Sequence, residues 1–345
     1  MPKGWIYTCI AATMLSGQLT ADNSLSPTET PWKVSVEYLH FKPYISDNYF
    51  AIDRSGIPGF DDVSGEYINN TFNYHGGVRA GLSYDYCDGL SQAGIRYTRL
   101  ETQSCLRIED NDPTFPRIAP TVGPAAWTSS EIRFVDAMES CQDLLYQRGD
   151  LMFVRKVYCS CDLDLSVGVG IEASEIRLNS DYNTEDPQED GHLRLRSKTD
   201  GIGPQVMLGA KYNIFTQSCA FPGTLAVKLN VGGSLLVGTT RSSVYADFTD
   251  NLAVFIPTII ADTQDTRSWR MIPVLHTRLG LSWDTCLCNA PVSLEVGYEL
   301  SNYFRAITEI IYPADFFEPT IAGTARNLYK NLGLSGLYLS ASVNF

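Results

Sequence analysis

The chain has no long apolar run. Beyond its N-terminus no stretch approaches the ~18 apolar residues that a spanning helix requires, so a place in a membrane would have to be taken with strands. Basic residues are few, 26 Lys and Arg against 39 Asp and Glu, which leaves a formal charge of −13. Phosphate backbones are bound through a basic face, so nucleic acid is not an expected partner. Histidine is scarcer still. His40, His75, His192 and His276 are scattered, and no Gly-x-Ser-x-Gly, His-Glu-x-x-His or glycine-rich phosphate loop accompanies them. A hydrolase needs Ser, His and a polar orienting group converging on one site. The reading is a chain that is not an enzyme, with no catalytic residue and no cofactor. The low hydrophobicity of disordered chains is missing too, since 44% of the residues are hydrophobic.

Tyrosine and glycine are plentiful, at 19 and 27 residues. Their setting is clearest in the stretch 74–99, YHGGVRAGLSYDYCDGLSQAGIRYTR. Tyr74, Val78, Ala80, Leu82, Tyr84 and Tyr86 fall on one face, and His75, Arg79, Ser83 and Asp85 on the other. Alternation resumes after Cys87-Asp88-Gly89, with Ala93, Ile95 and Tyr97 against Gln92, Arg96 and Thr98. Period two marks a strand with unlike faces, and Asp-Gly between two such runs marks a hairpin. A soluble sheet with one wet face and a membrane barrel with a polar lumen both satisfy this pattern.

Residues 1–21 stand apart. Lys3 gives a positive start, 5–15 is mostly apolar, and Leu19-Thr20-Ala21 offers a cleavage site before Asp22. That layout is a secretory signal peptide. Residues 22–31 form a polar, extended leader, and 32–345 the folded domain. Export implies an oxidising compartment, where the remaining cysteines are disulfide candidates.

Ten alternating segments follow, at 32–42, 74–86, 91–99, 144–156, 163–171, 203–214, 225–237, 271–284, 292–300 and 337–345. Several have roughly the ~9–11 residues of a tilted strand crossing a bilayer. Short turns alternate with the long, mostly acidic loops 43–73, 102–140, 179–195, 239–268 and 306–330. Short turns at one end and long loops at the other describe an outer-membrane barrel. The predicted fold is all-β: a transmembrane antiparallel up-and-down β-barrel of about ten strands, with short periplasmic turns and long extracellular loops. An apolar run at 252–261 leaves room for twelve strands. The expected location is the outer membrane of a Gram-negative bacterium, with a terminal strand ending on Phe345.

Five segments carry a family resemblance: VEYLHFKP (36–43), GGVRAGLSYDYCDGLSQAGIRYTR (76–99), DLMFVRK with LSVGVGIEASEI (150–176), DGIGPQVMLGAKYNI (200–214) and the last strand. In this order they resemble the major outer membrane protein family of Legionella, whose relatives occur as MOMP-like proteins in environmental chlamydiae. The chain departs at Leu90, where the family tends to have Trp, and at Glu172, where a basic residue is common. The resemblance implies a surface-abundant barrel, a porin in the first reading, and brings no catalytic residue.

Charges facing lipid cost about 2–4 kcal/mol each for Arg or Lys at mid-bilayer. Arg79, Asp85, Arg96, Asp164, Glu172, Lys211, Lys228, Arg278, Asp284, Glu295 and Glu299 are therefore assigned to the lumen. Two readings stand. Opposed charges either line a path for small hydrophilic solutes or pair off and fill a narrow bore, which ten strands favour. In the second case the barrel is a surface adhesin, antigen or disulfide-linked scaffold. Cys87, Cys159, Cys161, Cys219, Cys286 and Cys288 fall in the short turns, and Cys105 and Cys141 frame the loop 102–140. The single-residue spacing of 159/161 and 286/288 is too short for usual zinc knuckles, so the reading is disulfides and no metal. The chlamydial resemblance suggests cross-links to other envelope proteins. Outer-membrane lipids and further copies of the chain complete the expected partners.

Overall fold

A computed structural model of the protein describes residues 31–53, 65–110, 118–122, 135–185, 189–215, 223–250, 257–287, 290–311 and 326–345. The signal peptide and nearly all of the leader expected from sequence lie outside them, as do Cys219 and Cys288.

Thirteen strands are present among the described residues: β1 (Trp32–Ile45), β2 (Tyr49–Asp53), β3 (Glu66–Asn69), β4 (His75–Asp85), β5 (Ser91–Glu109), β6 (Ile118–Pro120), β7 (Ala137–Cys159), β8 (Leu163–Glu185), β9 (Glu189–Phe215), β10 (Thr224–Asp250), β11 (Pro257–Leu287), β12 (Ala290–Ile311) and β13 (Arg326–Asn344). Ten of them close a barrel in the order β1-β13-β12-β11-β10-β9-β8-β7-β5-β4, with every neighbouring pair antiparallel. The last strand meets the first over a run from Lys33↔Asn344 to Ile45↔Leu332. At the periplasmic end the turn after β4 is held by Asp88, which accepts hydrogen bonds from the Leu90 and Ser91 amides and the Ser91 hydroxyl. Gly89 follows it at φ 62°, a left-handed conformation that a side chain resists.

The strands are longer than a bilayer needs. β11 has 31 residues, several turns of sequence beyond the ~9–11 of a crossing. The surplus lies at the extracellular end, and there the polarity of the two faces inverts. On β8, Val167, Val169 and Ile171 face outward and are exposed, while Glu172 is sealed inside. Farther up the same strand Arg177 and Asn179 face outward, and Ile176, Leu178 and Tyr182 are buried within. β1 does the same, passing from Glu37 inside to Leu39, Phe41 and Ile45. Lipid outside demands an apolar exterior, and water outside demands the reverse; one strand obeys both rules in turn.

This inversion corrects the loop boundaries read from sequence. Large parts of 102–140, 179–195, 239–268 and 306–330 are strand, because acidic, polar residues there face water from a sheet rather than from a loop. The segment 252–261 adds no separate strand: residues 257–261 open β11, and 252–256 lie outside the described residues. Within 43–73, β2 and β3 join β6 in a second, three-stranded sheet. It packs Phe50, Ala51 and Ile118 onto Tyr182, Leu193, Leu195 and Val244 at the top of the barrel interior. Asn48 donates to Gln142 at 2.8 Å and Asn70 to the Ser140 carbonyl at 2.9 Å, which ties this insertion to β7.

Candidate functional site

The interior has three levels. Nearest the periplasm, a cavity of about 290 Å³ is bordered by Lys33, Arg96, Lys228, Asn230, Ser340 and Ser342, among others. Next comes a layer of charged side chains joined to one another. Above it the interior turns apolar, with Leu39, Phe41, Leu100, Leu144, Ile176, Leu236, Ile272 and Leu334 in one packed cluster.

The charged layer is built from small alternating steps on neighbouring strands. Arg79 on β4 forks onto Glu299 of β12 with two bonds of 2.7 Å, and reaches Glu37 of β1 at 2.9 Å and the Thr98 hydroxyl at 2.9 Å. Arg278 on β11 donates to Glu37 at 2.9 Å and to Glu295 at 2.9 Å. Its guanidinium lies 3.7 Å from the centre of the Tyr338 ring, and the Tyr338 hydroxyl donates to Glu295 at 2.7 Å. Gly280 and Gly297 leave the space for that hydroxyl, since a Cβ at either would collide with it. Lys228 completes this limb with a 3.2 Å bond to Glu295.

A second limb centres on Glu172. It accepts from Ser234 at 2.7 Å and Tyr303 at 2.9 Å, and His276 Nε2 lies 3.0 Å away. Arg148 lies 3.0 Å from His276 Nδ1 and can only donate, so Nδ1 accepts and the proton sits on Nε2, facing the carboxylate. Arg148 also bonds Asp150 at 2.8 Å. Tyr146 meets Tyr303 hydroxyl to hydroxyl at 2.8 Å, just below the apolar level.

Glu37, Arg79, Arg148, Asp150, Glu172 and Glu299 are each at most 5% exposed. Five cations (Arg79, Arg96, Arg148, Lys228, Arg278) stand against five carboxylates (Glu37, Asp150, Glu172, Glu295, Glu299), so the layer carries no net charge with His276 neutral. Balanced, hydrogen-bonded pairs are how buried charge is tolerated.

Of the residues assigned to the lumen from sequence, Arg79, Glu172, Lys228, Arg278, Glu295 and Glu299 are brought together in this layer. Arg96 touches it at its edge, 3.7 Å from Asp150. The others lie lower and apart. Lys211 pairs with Asp284 at 2.8 Å, Asp85 accepts from Gln92 at 2.7 Å, and Asp164 accepts from the Cys159 thiol at 3.0 Å. Sequence reasoning omitted Glu37, Arg148, Asp150, Tyr146, Tyr303 and Tyr338. Glu37 alternates with Val36 and Tyr38 and carried a readable signal. Arg148 and Asp150 share a face with Leu144 and Tyr146, which hides them until the apolar upper interior is known.

Cys105 and Cys141 form a disulfide between directly opposed positions of β5 and β7. They sit in strands rather than at the ends of a loop. Cys87, Cys159, Cys161 and Cys286 are free and exposed at the periplasmic rim. Among the described residues no group of three His, Cys, Asp or Glu side chains is placed to hold a metal ion.

The model of a family described as Legionella pneumophila major outer membrane protein precursor matches residues 25–345. The chain belongs to that family. Family and fold together place it in the bacterial outer membrane. No curated protein matches it in sequence. Among solved structures it is similar to the outer membrane protease OmpT of Escherichia coli, at 10% identity and TM-score 0.45, over 93% of this chain and 99% of that one. It is also similar to the transport unit of the autotransporter AIDA-I from Escherichia coli (10%, 0.34, 94% and 93%) and the Ralstonia pickettii toluene transporter TbuX (9%, 0.30, 93% and 90%). Likenesses this distant carry no function to the family member described above.

Proposed function

We propose that this outer-membrane barrel is closed to solutes at mid-height and serves as a rigid base that presents its long extracellular strands at the cell surface, as an adhesin, antigen or envelope scaffold. One observation carries the reading. Directly above a charge-balanced layer of mostly hydrogen-bonded ion pairs, the interior becomes an apolar core of packed Leu, Ile, Phe and Tyr side chains. A hydrated solute would have to break the first and dissolve in the second. Ten-stranded barrels stand close to the size at which side chains fill the bore, which supports the same conclusion.

Passive diffusion of small hydrophilic solutes is the second reading. The 290 Å³ cavity favours it, being polar, charged and placed where a periplasmic vestibule would lie. Reconstitution of the full-length protein into planar bilayers separates the two. The closed barrel predicts silence at high protein loading, whereas discrete, reproducible conductance steps would overturn it in favour of a porin.

A further inference from the structure

Four cations stand side by side on the outer wall of the barrel. Arg177 of β8 is opposite Lys198 of β9, Lys198 is opposite Arg241 of β10, and Arg241 is opposite Arg267 of β11. All four face outward, on the faces that carry Ile171, Ile202, Val237 and Met271 lower down. Like charges directly opposed across strands destabilise a sheet, so an unbroken row over four strands needs an anion.

The chain supplies only part of it. Glu175 pairs with Arg177 and with Lys198 (3.0 Å), and Asp200 lies 3.4 Å from Lys198. Among the described residues Arg241 and Arg267 have no carboxylate within ion-pair distance, and Arg241 Nε is buried without a hydrogen-bond partner. Among the described side chains, which do not include that of Asp265, two positive charges are left over at the β10–β11 end of the row.

Height identifies the ligand class. One outward position below the row, Trp269 is 74% exposed, as befits an interfacial aromatic. One further position down, the lateral row Ala173, Ile202, Val237, Met271 belongs to the lipid-facing belt. The cations thus lie four residues, about 13 Å of strand, beyond the last apolar row. Between the two levels an exterior groove of about 540 Å³ is floored by Gly149, Ala173 and Gly201, flanked by Tyr97, Ile202 and Trp269, and rimmed by Arg267, with Glu175 and Asp200, the partners of Arg177 and Lys198, on its β8–β9 wall. Small residues make a slot continuous with the lipid belt; the Arg267 guanidinium sits at its upper end, and Arg241 is its direct cross-strand neighbour just outside the groove.

We propose that this wall is a binding site for a phosphate-bearing lipid of the outer leaflet, whose phosphate bridges Arg241 and Arg267 while an acyl chain lies in the groove. Guanidinium forks suit phosphate oxygens, and the apolar slot selects a lipid over a free anion. This inference does not depend on whether the bore conducts.

The test uses folded full-length protein and phosphatidylcholine vesicles containing bisphosphorylated lipid A or its dephosphorylated form, with bound lipid counted by native mass spectrometry. The expected result is retention of the phosphorylated lipid, at least ten-fold weaker in Arg241→Gln/Arg267→Gln. That variant should bind the two lipids alike, and Lys42→Gln, on β1 at the opposite side of the barrel, should behave as the parent does. Equal binding of both lipids by the parent protein, or undiminished binding by the double variant, would overturn the proposal. So would a concentration-dependent dimer, abolished by the same substitutions, since a second copy would then own the surface. If the double variant does not fold, Arg267→Gln alone replaces an exposed side chain, and a loss of at least three-fold is expected from it; no loss counts against the site.

Discussion

At the scale of single residues, the interior is governed by what it costs to leave a charge alone. Arg79 is the hub, held by two carboxylates and a threonine hydroxyl at 2.7–2.9 Å. Removing one partner of a buried pair costs about 3–5 kcal/mol, because the other stays buried and uncompensated. Arg79→Ala is therefore expected to lower stability by that amount in urea titrations of vesicle-embedded protein. Combining Arg79→Met with Glu299→Gln should restore most of it, since neither member is then charged. A change below about 1 kcal/mol in the single variant would mean that water reaches this layer. Much of the layer is legible in the sequence as charged residues on the face opposite the valines and tyrosines. Its tyrosines are not, because period two says which side of a strand a residue takes and nothing about whether its hydroxyl finds Glu172 or Glu295.

At the scale of the strand, two environments share one element. Ten strands and their order can be read from alternation, and all ten close the barrel. Their lengths cannot. A rule that looks for apolar residues outside and polar ones inside stops at the membrane edge, and on β7 it finds Leu144, Tyr146, Arg148 and Asp150 on the same side without a reason. The reason is the change of solvent on the opposite face. It follows that identical substitutions on β8 should differ sharply with height. Val169→Arg, in the lipid belt, is expected to cost about 2–4 kcal/mol. Asn179→Arg, five steps of alternation higher and facing water, should stay within about 0.5 kcal/mol. Equal costs at both positions in the same urea assay would place the membrane edge elsewhere.

At the scale of the molecule, the barrel joins a lipid-embedded half to a water-surrounded half through one continuous wall. The outer end is braced by the Cys105–Cys141 bond and by the small sheet of β2, β3 and β6 seated on the upper core. The periplasmic end instead carries thiols with no disulfide, Cys87, Cys159, Cys161 and Cys286, all exposed. If these link neighbouring envelope proteins, whole-cell extracts run without reductant should give a ladder of bands containing this chain, collapsing to monomer when reductant is added. A single monomer band under both conditions would remove the scaffold from the proposed roles and leave surface display.

The seam between β1 and β13 has a consequence for how the chain is made. Strand one gains its partner on that side only when the last 19-residue strand has been delivered. Until then, two long rows of unpaired amides and carbonyls stay open, the kind of edge on which strands from other chains assemble. Closing contacts across some three hundred residues makes the final step slow relative to local hairpins. A chain truncated before β13 would therefore lose more than one tenth of its wall. It would stay an open sheet, and every such product would be a template for aggregation.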